Sequence, residues 1–280
     1  MASAVVFAYH DVGVRCLRAL LEAGVVVPLV VTHRDDPGEG AWFASVAELA
    51  RRRKIDVLLD PSTEQMHDRV AKLGPDFIFS FYYRRMLPVE VLGLAKRGAF
   101  NMHGSLLPKY RGRAPVNWAV LHGETETGAT LHEMTAKPDA GRIVDQQAVP
   151  IGPDDTAAQV FARVTEAAEV VLKRSLRKLL EGSAQLRPND LSQGSYFGGR
   201  RPEDGRIDWR KSAREIHNLV RAVAPPYPGA FCDRLKVFRT RIEDRPAPRH
   251  EPGPYRENGE WFAVCGDNKV LRLLEVQERE

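Results

Sequence analysis

Residues 4–31 read AVVFAYHDVGVRCLRALLEAGVVVPLVV, and this stretch decides the fold. It opens with the short apolar run 4–8, which predicts a buried strand. Apolar residues then recur at the spacing of one helix face, namely at Val14, Leu17, Leu20 and Leu21. Gly24 ends this pattern, and the apolar run 25–31 predicts a second strand.

The same alternation continues toward residue 81. The sequence predicts a helix over 45–54, a strand over 56–59 and a further helix that ends at Gly74. Residues 77–81, FIFSF, are almost continuously apolar, as in a strand that is covered on both faces. Strands that alternate with helices predict an α/β fold with a doubly wound, mostly parallel sheet.

A long helix closes this first region. Residues 153–181 give the clearest helical pattern in the chain, and Asp154 or Asp155 is the predicted N-cap. Glycine and proline residues then become frequent, which is typical of a linker. We therefore predict a catalytic domain over 1–187 and a linker over 188–202.

The remaining residues, 203–280, predict a smaller lobe. One helix is expected over 212–224, followed by strand-like segments over 231–242 and 261–276. The intervening stretch 245–259 is rich in Pro and Gly, which predicts an exposed loop. The small lobe is therefore expected to be mostly β, as an OB-like barrel.

Composition places the chain among globular proteins. Its 280 residues are 43% hydrophobic and 28% charged, which excludes a disordered tail, a collagen-like repeat and a disulfide mini-protein. Lys and Arg number 41 against 37 Asp and Glu, and the resulting net charge of +4 mildly favours anionic partners such as phosphates.

Cysteine usage and the N-terminus indicate the compartment. Cys16, Cys232 and Cys265 lie far apart, so the sequence predicts neither a disulfide framework nor a thiolate zinc site. The chain starts without the basic stretch and apolar run of a signal peptide, and its apolar runs are too short to span a membrane. We expect a cytoplasmic protein with no membrane span. The oligomeric state is left open.

The stretch with the most chemistry is 99–118, AFNMHGSLLPKYRGRAPVNW, which follows directly on a predicted strand. Asn101 and His103 are two residues apart, and this spacing places both side chains on one face of a strand. The loop 135–141 follows the next predicted strand and can bring Asp139 to the same region. The three residues form a candidate site.

Each of these residues also has a plainer interpretation. Asn101 and His103 alone could serve as turn and capping residues. His132, in a strand pattern without a partner at a fixed spacing, is expected to be a structural histidine. No spacing matches a known metal signature, so no metal site is predicted. The basic run 51–54 ends a helix and indicates a solvent-exposed face rather than a nucleic-acid contact.

The motif N-x-H-x-S-L-L-P-x-Y-R-G-x-A-P, with D-x-G downstream, resembles the folate-dependent formyltransferases. Further segments resemble, within that family, the formyltransferase domain that acts on UDP-4-amino-4-deoxy-L-arabinose. They are FAYHDVG at 7–13, THRDDPGE at 32–39, FSFYYRRML at 79–87, FGGRRPEDGRIDW at 197–209 and NLVRAVAPPYPGAF at 218–231. The best-known enzyme of this kind also carries a decarboxylating dehydrogenase domain. No G-x-G-x-x-G fingerprint follows a strand here, so we expect that activity on another polypeptide, or a different sugar pathway.

The resemblance implies a Rossmann-like fold and catalytic roles for Asn101, His103 and Asp139. Formyl transfer to an amine passes through a tetrahedral carbon that bears an oxyanion. An amide donor at Asn101 suits that oxyanion, and His103 can donate to it or protonate the leaving nitrogen near neutral pH. Asp139 is expected to orient His103 and to help remove the amine proton.

The resemblance also implies 10-formyltetrahydrofolate as the formyl donor and co-substrate, with no metal ion. It places the folate against groups in three segments. The implied contacts are Arg85, Met86, Leu87, Arg113, Thr135, Ala136, Lys137 and Pro138.

The favoured acceptor is a nucleotide-linked amino sugar, UDP-4-amino-4-deoxy-L-arabinose. The alternatives are methionyl-tRNA formyltransferase, formyltetrahydrofolate hydrolase and a non-enzymatic folate- or nucleotide-binding module. The early loop 34–43 contains Asp35, Asp36 and Glu39, which are unfavourable beside RNA phosphates, so we expect no nucleic-acid partner. The aromatic pair Trp42-Phe43 could either anchor this loop or cover a substrate.

Overall fold

The structure is a computed structural model that describes residues 1–35 and 43–278. The chain forms two compact units. The first consists of Met1–Gly112, Gly128–Val149 and Arg163–Tyr196, and the second of Arg113–Thr127, Pro150–Ala162 and Phe197–Glu280. No helix in the described part of the chain is long and apolar enough to cross a membrane.

The first unit is built on a seven-stranded sheet in the order β3-β2-β1-β4-β5-β7-β8. The strands are β1 (Ser3–Ala8), β2 (Val26–Thr32), β3 (Asp56–Leu59), β4 (Phe77–Phe81), β5 (Gly98–His103), β7 (Glu126–Glu133) and β8 (Ile143–Pro150). The five strands from β3 to β5 in this order pair in parallel, which confirms the predicted doubly wound, mostly parallel sheet.

The middle of this sheet is buried on both faces. Val6 of β1 pairs with Val30 of β2 on one side and with Phe79 of β4 on the other, and all five residues of β4 are buried. A continuous apolar run therefore forms a central strand, because neither of its faces meets water. The sheet departs from parallel pairing at β7, which runs antiparallel to β5.

Helices lie between these strands along the chain, and further helices occur in the second unit. They are α1 (His10–Glu22), α2 (Val46–Arg52), α3 (Thr63–Leu73), α4 (Val89–Leu92), α5 (Pro115–Leu121), α6 (Ala157–Glu181) and α7 (Ala213–Ala222). Their ends follow local chemistry. Ser62 and Gln65 form a capping box at the start of α3, and Gly74 ends that helix in the left-handed conformation.

The predicted N-cap of the long helix α6 is wrong. The hydroxyl of Thr156 accepts the backbone N–H of Gln159, 3.3 Å away, and α6 begins at Ala157. Asp155 is engaged elsewhere, because its carboxylate accepts the N–H of Gly152 at 2.5 Å. Three candidate capping side chains follow one another here, and sequence alone does not rank them.

The second unit contains a five-stranded antiparallel sheet in the order β10-β11-β14-β13-β12. Its strands are β10 (Ala230–Phe231), β11 (Leu235–Glu243), β12 (Gly253–Glu257), β13 (Glu260–Val264) and β14 (Val270–Glu278). Apolar residues of this sheet and of α7 form one core, including Ile216, Val220, Val237 and Leu271. The mostly β lobe is confirmed. The described residues also contain two short strands, β6 (Arg111–Gly112) and β9 (Tyr196–Phe197).

Two details of this lobe differ from the prediction. The stretch 245–259 is not only a loop, because it contains β12, and the single strand-like segment 261–276 is a hairpin of β13 and β14. Pro254 lies in β12, which is the edge strand of its sheet. A proline is tolerated there because an edge strand leaves one side of its backbone unpaired.

Gly128 in β7 provides a test of the sheet's close packing. A Cβ at this position would lie 2.2 Å from the carbonyl oxygen of Gln147 and 2.6 Å from a methyl group of Leu106. We expect Gly128→Ala to lower the free energy of unfolding by about 1–3 kcal/mol, as overpacking does elsewhere. Urea denaturation followed by circular dichroism measures this. Gly198→Ala is the matched control, because a Cβ at Gly198 has no atom within 4 Å, and its change should stay within about 0.5 kcal/mol. Equal stabilities of the two variants would contradict the assigned packing.

Candidate functional site

Strand β5 places the first two candidate residues. Asn101 and His103 lie on the same face of β5, as their spacing predicts. Across the antiparallel pairing with β7, Asn101 is opposite His132 and His103 is opposite Thr130. The register of this one strand pair therefore brings a second histidine next to the candidate amide.

Asp139 completes the cluster, and its carboxylate lies at the centre. Its Oδ1 atom is 3.5 Å from Nδ1 of His103, 3.4 Å from Nε2 of His132 and 3.5 Å from Nδ2 of Asn101. Its Oδ2 atom accepts the backbone N–H of Gly112 at 2.8 Å. The side chain of Asp139 is 12% exposed, so a largely buried charge is surrounded by four nitrogen groups.

The protonation state of Asp139 follows from these neighbours. Burial by itself raises the pKa of this carboxyl, but the electrostatic effect of the nearby His103, the contact with His132 and the Gly112 N–H together outweigh burial. The pKa of Asp139 is thus held well below its usual range. The group is a carboxylate at neutral pH and a weak proton acceptor.

The turn that carries Asp139 is fixed by a residue from a distant segment. The side-chain amide of Asn189 donates to the carbonyl oxygens of Asp139 and Gly141, at 3.0 and 3.1 Å. Asp139 itself has a φ of 49°, in the left-handed region that a non-glycine residue adopts only when it is held there. Asn189 lies in the stretch 188–202 that the sequence predicts as a linker, and nothing in the local sequence indicates this role.

His103 is oriented by the backbone. Its Nε2 atom lies 2.8 Å from the carbonyl oxygen of Tyr110, which can only accept, so Nε2 carries the proton. Nδ1 is therefore the nitrogen that faces Asp139. At 3.5 Å this contact is longer than a charge-assisted hydrogen bond, so Nδ1 is not committed to the carboxylate.

A polar network supports the loop that supplies this carbonyl. The hydroxyl of Ser105 donates to the carbonyl oxygen of Lys109 at 2.6 Å, and the hydroxyl of Thr130 donates to the carbonyl oxygen of Ser105 at 2.6 Å. Gln146 donates to the Thr130 hydroxyl at 2.9 Å. Buried polar side chains thus connect β7 and β8 to the loop that ends at Tyr110.

His132, for which the sequence predicts a structural role, contacts two of the candidate residues. Its Nδ1 atom lies 2.7 Å from the carbonyl oxygen of Glu133, so Nδ1 carries a proton. Its Nε2 atom lies 3.2 Å from Nδ2 of Asn101 and 3.4 Å from Oδ1 of Asp139. Only the register between β5 and β7 could have indicated this contact. Among the residues that the structure describes, no group of three or more His, Cys, Asp or Glu is placed to hold a metal ion.

One segment implied to contact the folate, residues 85–87, is partly anchored in an apolar cluster of the first unit. Leu87 is buried in an apolar cluster that also contains Ala99 of β5, and Met134 packs against the same cluster. Met86 is 58% exposed. Arg85 lies 3.5 Å from the carboxylate of Asp60. Leu87, Ala99 of β5 and Met134 therefore contribute to one apolar cluster of the first unit.

The remaining implied folate contacts are the loop 135–138 and Arg113. The loop residues Thr135, Ala136 and Lys137 are exposed, and Pro138 is half-buried. The Thr135 hydroxyl donates to the carbonyl oxygen of Lys137 at 3.0 Å, which closes a tight turn. Arg113 belongs to the second unit, where its backbone N–H donates to the carbonyl oxygen of Phe197 at 3.0 Å.

The early acidic loop is described only at its ends. Residues 36–42, which include Asp36, Glu39 and Trp42, lie outside the described residues. The carboxylate of Asp35 accepts the hydroxyl of Ser45 at 2.5 Å. The ring of Phe43 stacks on His10 with centroids 4.2 Å apart. For Phe43, this contact with the body of the unit favours the anchoring role.

Solved structures with a similar fold include an N-formyltransferase from Helicobacter canadensis in complex with folinic acid and dTDP-3-aminofucose. Its TM-score is 0.80 at 22% identity, with 100% of both chains covered. WlaRD, a sugar 3N-formyl transferase determined with dTDP and 5-N-formyl-THF, gives a TM-score of 0.78 at 21% identity and covers 99% of this chain and 98% of that chain. Glycinamide ribonucleotide transformylase 1 from Symbiobacterium toebii gives 0.58 at 26% identity and covers 68% of this chain and 95% of that chain. At these identities the first two show a shared fold.

Two family models match the sequence. The model described as formyl transferase matches residues 14–176, and the model of the formyl transferase C-terminal domain matches residues 200–280. These ranges cover well over half of the chain and confirm the predicted family. The chain therefore belongs to the formyl transferase family of enzymes.

Proposed function

We propose that the chain transfers a formyl group from 10-formyltetrahydrofolate to the amine of a nucleotide-linked amino sugar. The observation that carries the proposal is the convergence of Asn101, His103 and Asp139 within 3.5 Å contacts, in a chain of the formyl transferase family. The amine nitrogen attacks the formyl carbon, and the carbonyl electron pair moves onto oxygen. Collapse of this tetrahedral species breaks the bond to N10 of the folate and leaves a formamide and tetrahydrofolate.

Asn101 is proposed to stabilise the oxyanion. Its Nδ2 atom lies 3.2 Å from Nε2 of His132 and 3.5 Å from Oδ1 of Asp139, so the amide is held at the cluster. In this proposal one N–H turns from the long contact with Asp139 to the negative oxygen that develops during transfer. A preorganised amide donor of this kind stabilises the transition state more than the ground state.

His103 is proposed to move the proton. Its Nδ1 atom accepts the proton that the amine loses on attack and returns it to N10 as the bond to the formyl carbon breaks. The low pKa of Asp139 makes that carboxylate a poor base, but its charge stabilises the imidazolium that forms at His103. Asp139 in this proposal acts as an electrostatic partner rather than as the proton acceptor.

The donor is proposed to lie against Arg85, Met86 and Leu87 and the loop 135–138 (Thr135, Ala136, Lys137 and Pro138), while for Arg113 a folate contact stays what the family resemblance implies. Exposure of Met86 beside the buried Leu87 supports a surface on which an aromatic pteridine can rest. Complexes of two similar structures with folinic acid and 5-N-formyl-THF also support a folate donor.

The share of the chain that similar structures cover supports the acceptor class, in addition to the fold. The N-formyltransferase in complex with dTDP-3-aminofucose and the sugar 3N-formyl transferase with dTDP match 100% and 99% of this chain, whereas the glycinamide ribonucleotide enzyme covers 68% of it. Within that class we propose UDP-4-amino-4-deoxy-L-arabinose, on the sequence motifs, and a cytoplasmic location, where 10-formyltetrahydrofolate would be the co-substrate. The net charge of +4 suits a diphosphate.

Asn101→Ala tests the oxyanion role. We expect turnover to fall by about two to three orders of magnitude, as loss of one oxyanion donor does elsewhere. Steady-state kinetics at saturating donor measures this, with circular dichroism to verify folding. Asn117→Ala is the control, because it removes a buried amide that donates to the carbonyl of Ala222 outside the cluster. A near wild-type rate for Asn101→Ala would refute the role.

The coupling of His103 and Asp139 is tested by a double-mutant cycle. His103→Ala and Asp139→Asn should each lower turnover at least as much as Asn101→Ala, because the first removes the group that moves the proton and the second removes the charge that stabilises its imidazolium form. The double variant should lose far less than the product of the two single losses, since the residues act as a unit. Fully multiplicative losses would show that the two side chains work independently.

The acceptor is tested by assaying purified protein with 10-formyltetrahydrofolate and several amines. We expect formylation of UDP-4-amino-4-deoxy-L-arabinose, competitive inhibition by UDP, and poor use of methionyl-tRNA at physiological salt, because the tRNA needs many phosphate contacts. Mass spectrometry of the product and release of tetrahydrofolate are the readouts, and Asn101→Ala is the inactive control.

Other outcomes of this assay correct the proposal in defined ways. Formylation of a dTDP-linked amino sugar alone would replace the sugar nucleotide but keep the class. Efficient formylation of methionyl-tRNA without inhibition by UDP would overturn the acceptor class. Tetrahydrofolate release that needs no amine would identify a hydrolase.

A further inference from the structure

A second buried histidine connects three loops of the first unit. His33 follows β2, is 8% exposed, and has its Nδ1 atom 2.8 Å from Oδ1 of Asp60, which follows β3. Its Nε2 atom accepts the backbone N–H of Arg84, which follows β4, at 3.1 Å. The imidazole of His33 therefore links the segments that follow β2, β3 and β4 at the same edge of the sheet.

The two hydrogen bonds define the state of the ring. A backbone N–H can only donate, so Nε2 of His33 must hold a lone pair toward Arg84 and the proton must be on Nδ1, toward Asp60. Burial lowers the pKa of His33, against the opposing effect of Asp60, and this favours the neutral ring. For Asp60, burial raises the pKa, but the Arg34 N–H and His33 together lower it, so Asp60 is an ionised acceptor.

Packing holds the ring in this orientation. His33 stacks on Tyr83 with centroids 4.4 Å apart and an angle of 15°, and it meets the ring of Tyr9 edge-on at 5.4 Å. Asp60 also accepts the backbone N–H of Arg34 at 3.0 Å, which fixes the carboxylate. The His33–Asp60 pair is thus rigid before any ligand is present.

These contacts hold the segment that follows β4, which contains the proposed folate contacts. Tyr82, at its start, has a φ of 59°, a left-handed conformation that surrounding contacts must hold. Beyond Arg84, the side chain of Arg85 lies 3.5 Å from Asp60 and donates to the carbonyl oxygen of Pro61 at 3.1 Å. The same carboxylate therefore contacts both His33 and a proposed folate contact.

We propose that His33 and Asp60 are positioning residues that hold the segment from Arg84 to Leu87 in its donor-binding conformation before the folate arrives. The inference rests on the proposed function, because the assignment of Arg85, Met86 and Leu87 to the donor belongs to it. Ordering a backbone residue costs about 1–2 kcal/mol, so a segment fixed in advance binds its ligand more tightly than a mobile one.

His33→Ala tests the inference through the difference between the two substrates. We expect about a 10-fold rise in the Kd for 5-formyltetrahydrofolate, measured by calorimetric titration, and a similar rise in the KM for 10-formyltetrahydrofolate. The KM for the amino sugar and kcat should change less than about threefold, because His33 contacts neither Asn101 nor His103. A role in general stability would change all of these values together.

His33→Gln is the rescue variant, because a glutamine side-chain oxygen can replace Nε2 as the acceptor for the Arg84 N–H. It should recover most of the lost donor affinity. His217→Ala is the matched control, since His217 is also buried and polar on both ring nitrogens. It contacts Thr240 at 2.9 Å, the carbonyl of Pro153 at 3.1 Å and the carboxylate of Asp154 at 3.3 Å. The control variant should lower stability without a change in the Kd for the folate.

The outcomes separate this inference from the proposed function. If the wild-type protein binds 5-formyltetrahydrofolate and His33→Ala binds it equally well, the positioning role is wrong while the proposed function stands. Failure of His33→Gln to recover any affinity would also overturn it. If the protein binds the folate but formylates no sugar nucleotide, only the acceptor assignment fails. Absence of folate binding by the wild-type protein would overturn both.

Discussion

The burial of one carboxylate is the constraint on which the rest of the site depends. Asp139 is largely removed from water, and a buried charge is tolerated only where nitrogen groups compensate it. Those groups come from β5, from β7 and from the backbone at Gly112. The need to satisfy this one charge therefore brings three separate segments of the first unit to a single point.

The strand register makes that convergence possible. If β7 shifted by one residue against β5, His132 would move to the opposite face of the sheet and the carboxylate would lose a partner. On its other side, Gly128 allows β7 to approach the backbone of Gln147 in β8 closely. Strand β7 therefore contributes both to the close packing of the sheet and to the groups around Asp139.

Backbone groups and distant side chains do much of the positioning. The carbonyl of Tyr110 orients His103, and Asn189 holds the turn of Asp139. Elsewhere in the same unit, His33 contacts Asp60 and accepts the backbone N–H of Arg84 in the segment after β4. Interactions of this kind fix catalytic groups in advance, so little reorganisation is needed when the substrates bind.

The sequence by itself determined the alternation of strands and helices, the mostly parallel sheet and the candidates Asn101, His103 and Asp139. Periodicity and motif spacing are local properties, so they can be recognised without coordinates. They did not distinguish Thr156 from its neighbours as the cap of α6, and they did not indicate that the stretch 245–259 contains a strand. Each of those outcomes depends on which neighbour the segment meets.

Only the tertiary structure decided which nitrogen of His103 faces Asp139, that His132 is part of the cluster, and that Asn189 holds the turn. These facts arise from contacts between residues about 30 to 50 positions apart, such as His132 with Asn101 and Asn189 with Asp139. The sequence names the side chains that can perform the chemistry. Their partners are set by strand register and loop closure, because these decide which distant groups share the space around one buried charge.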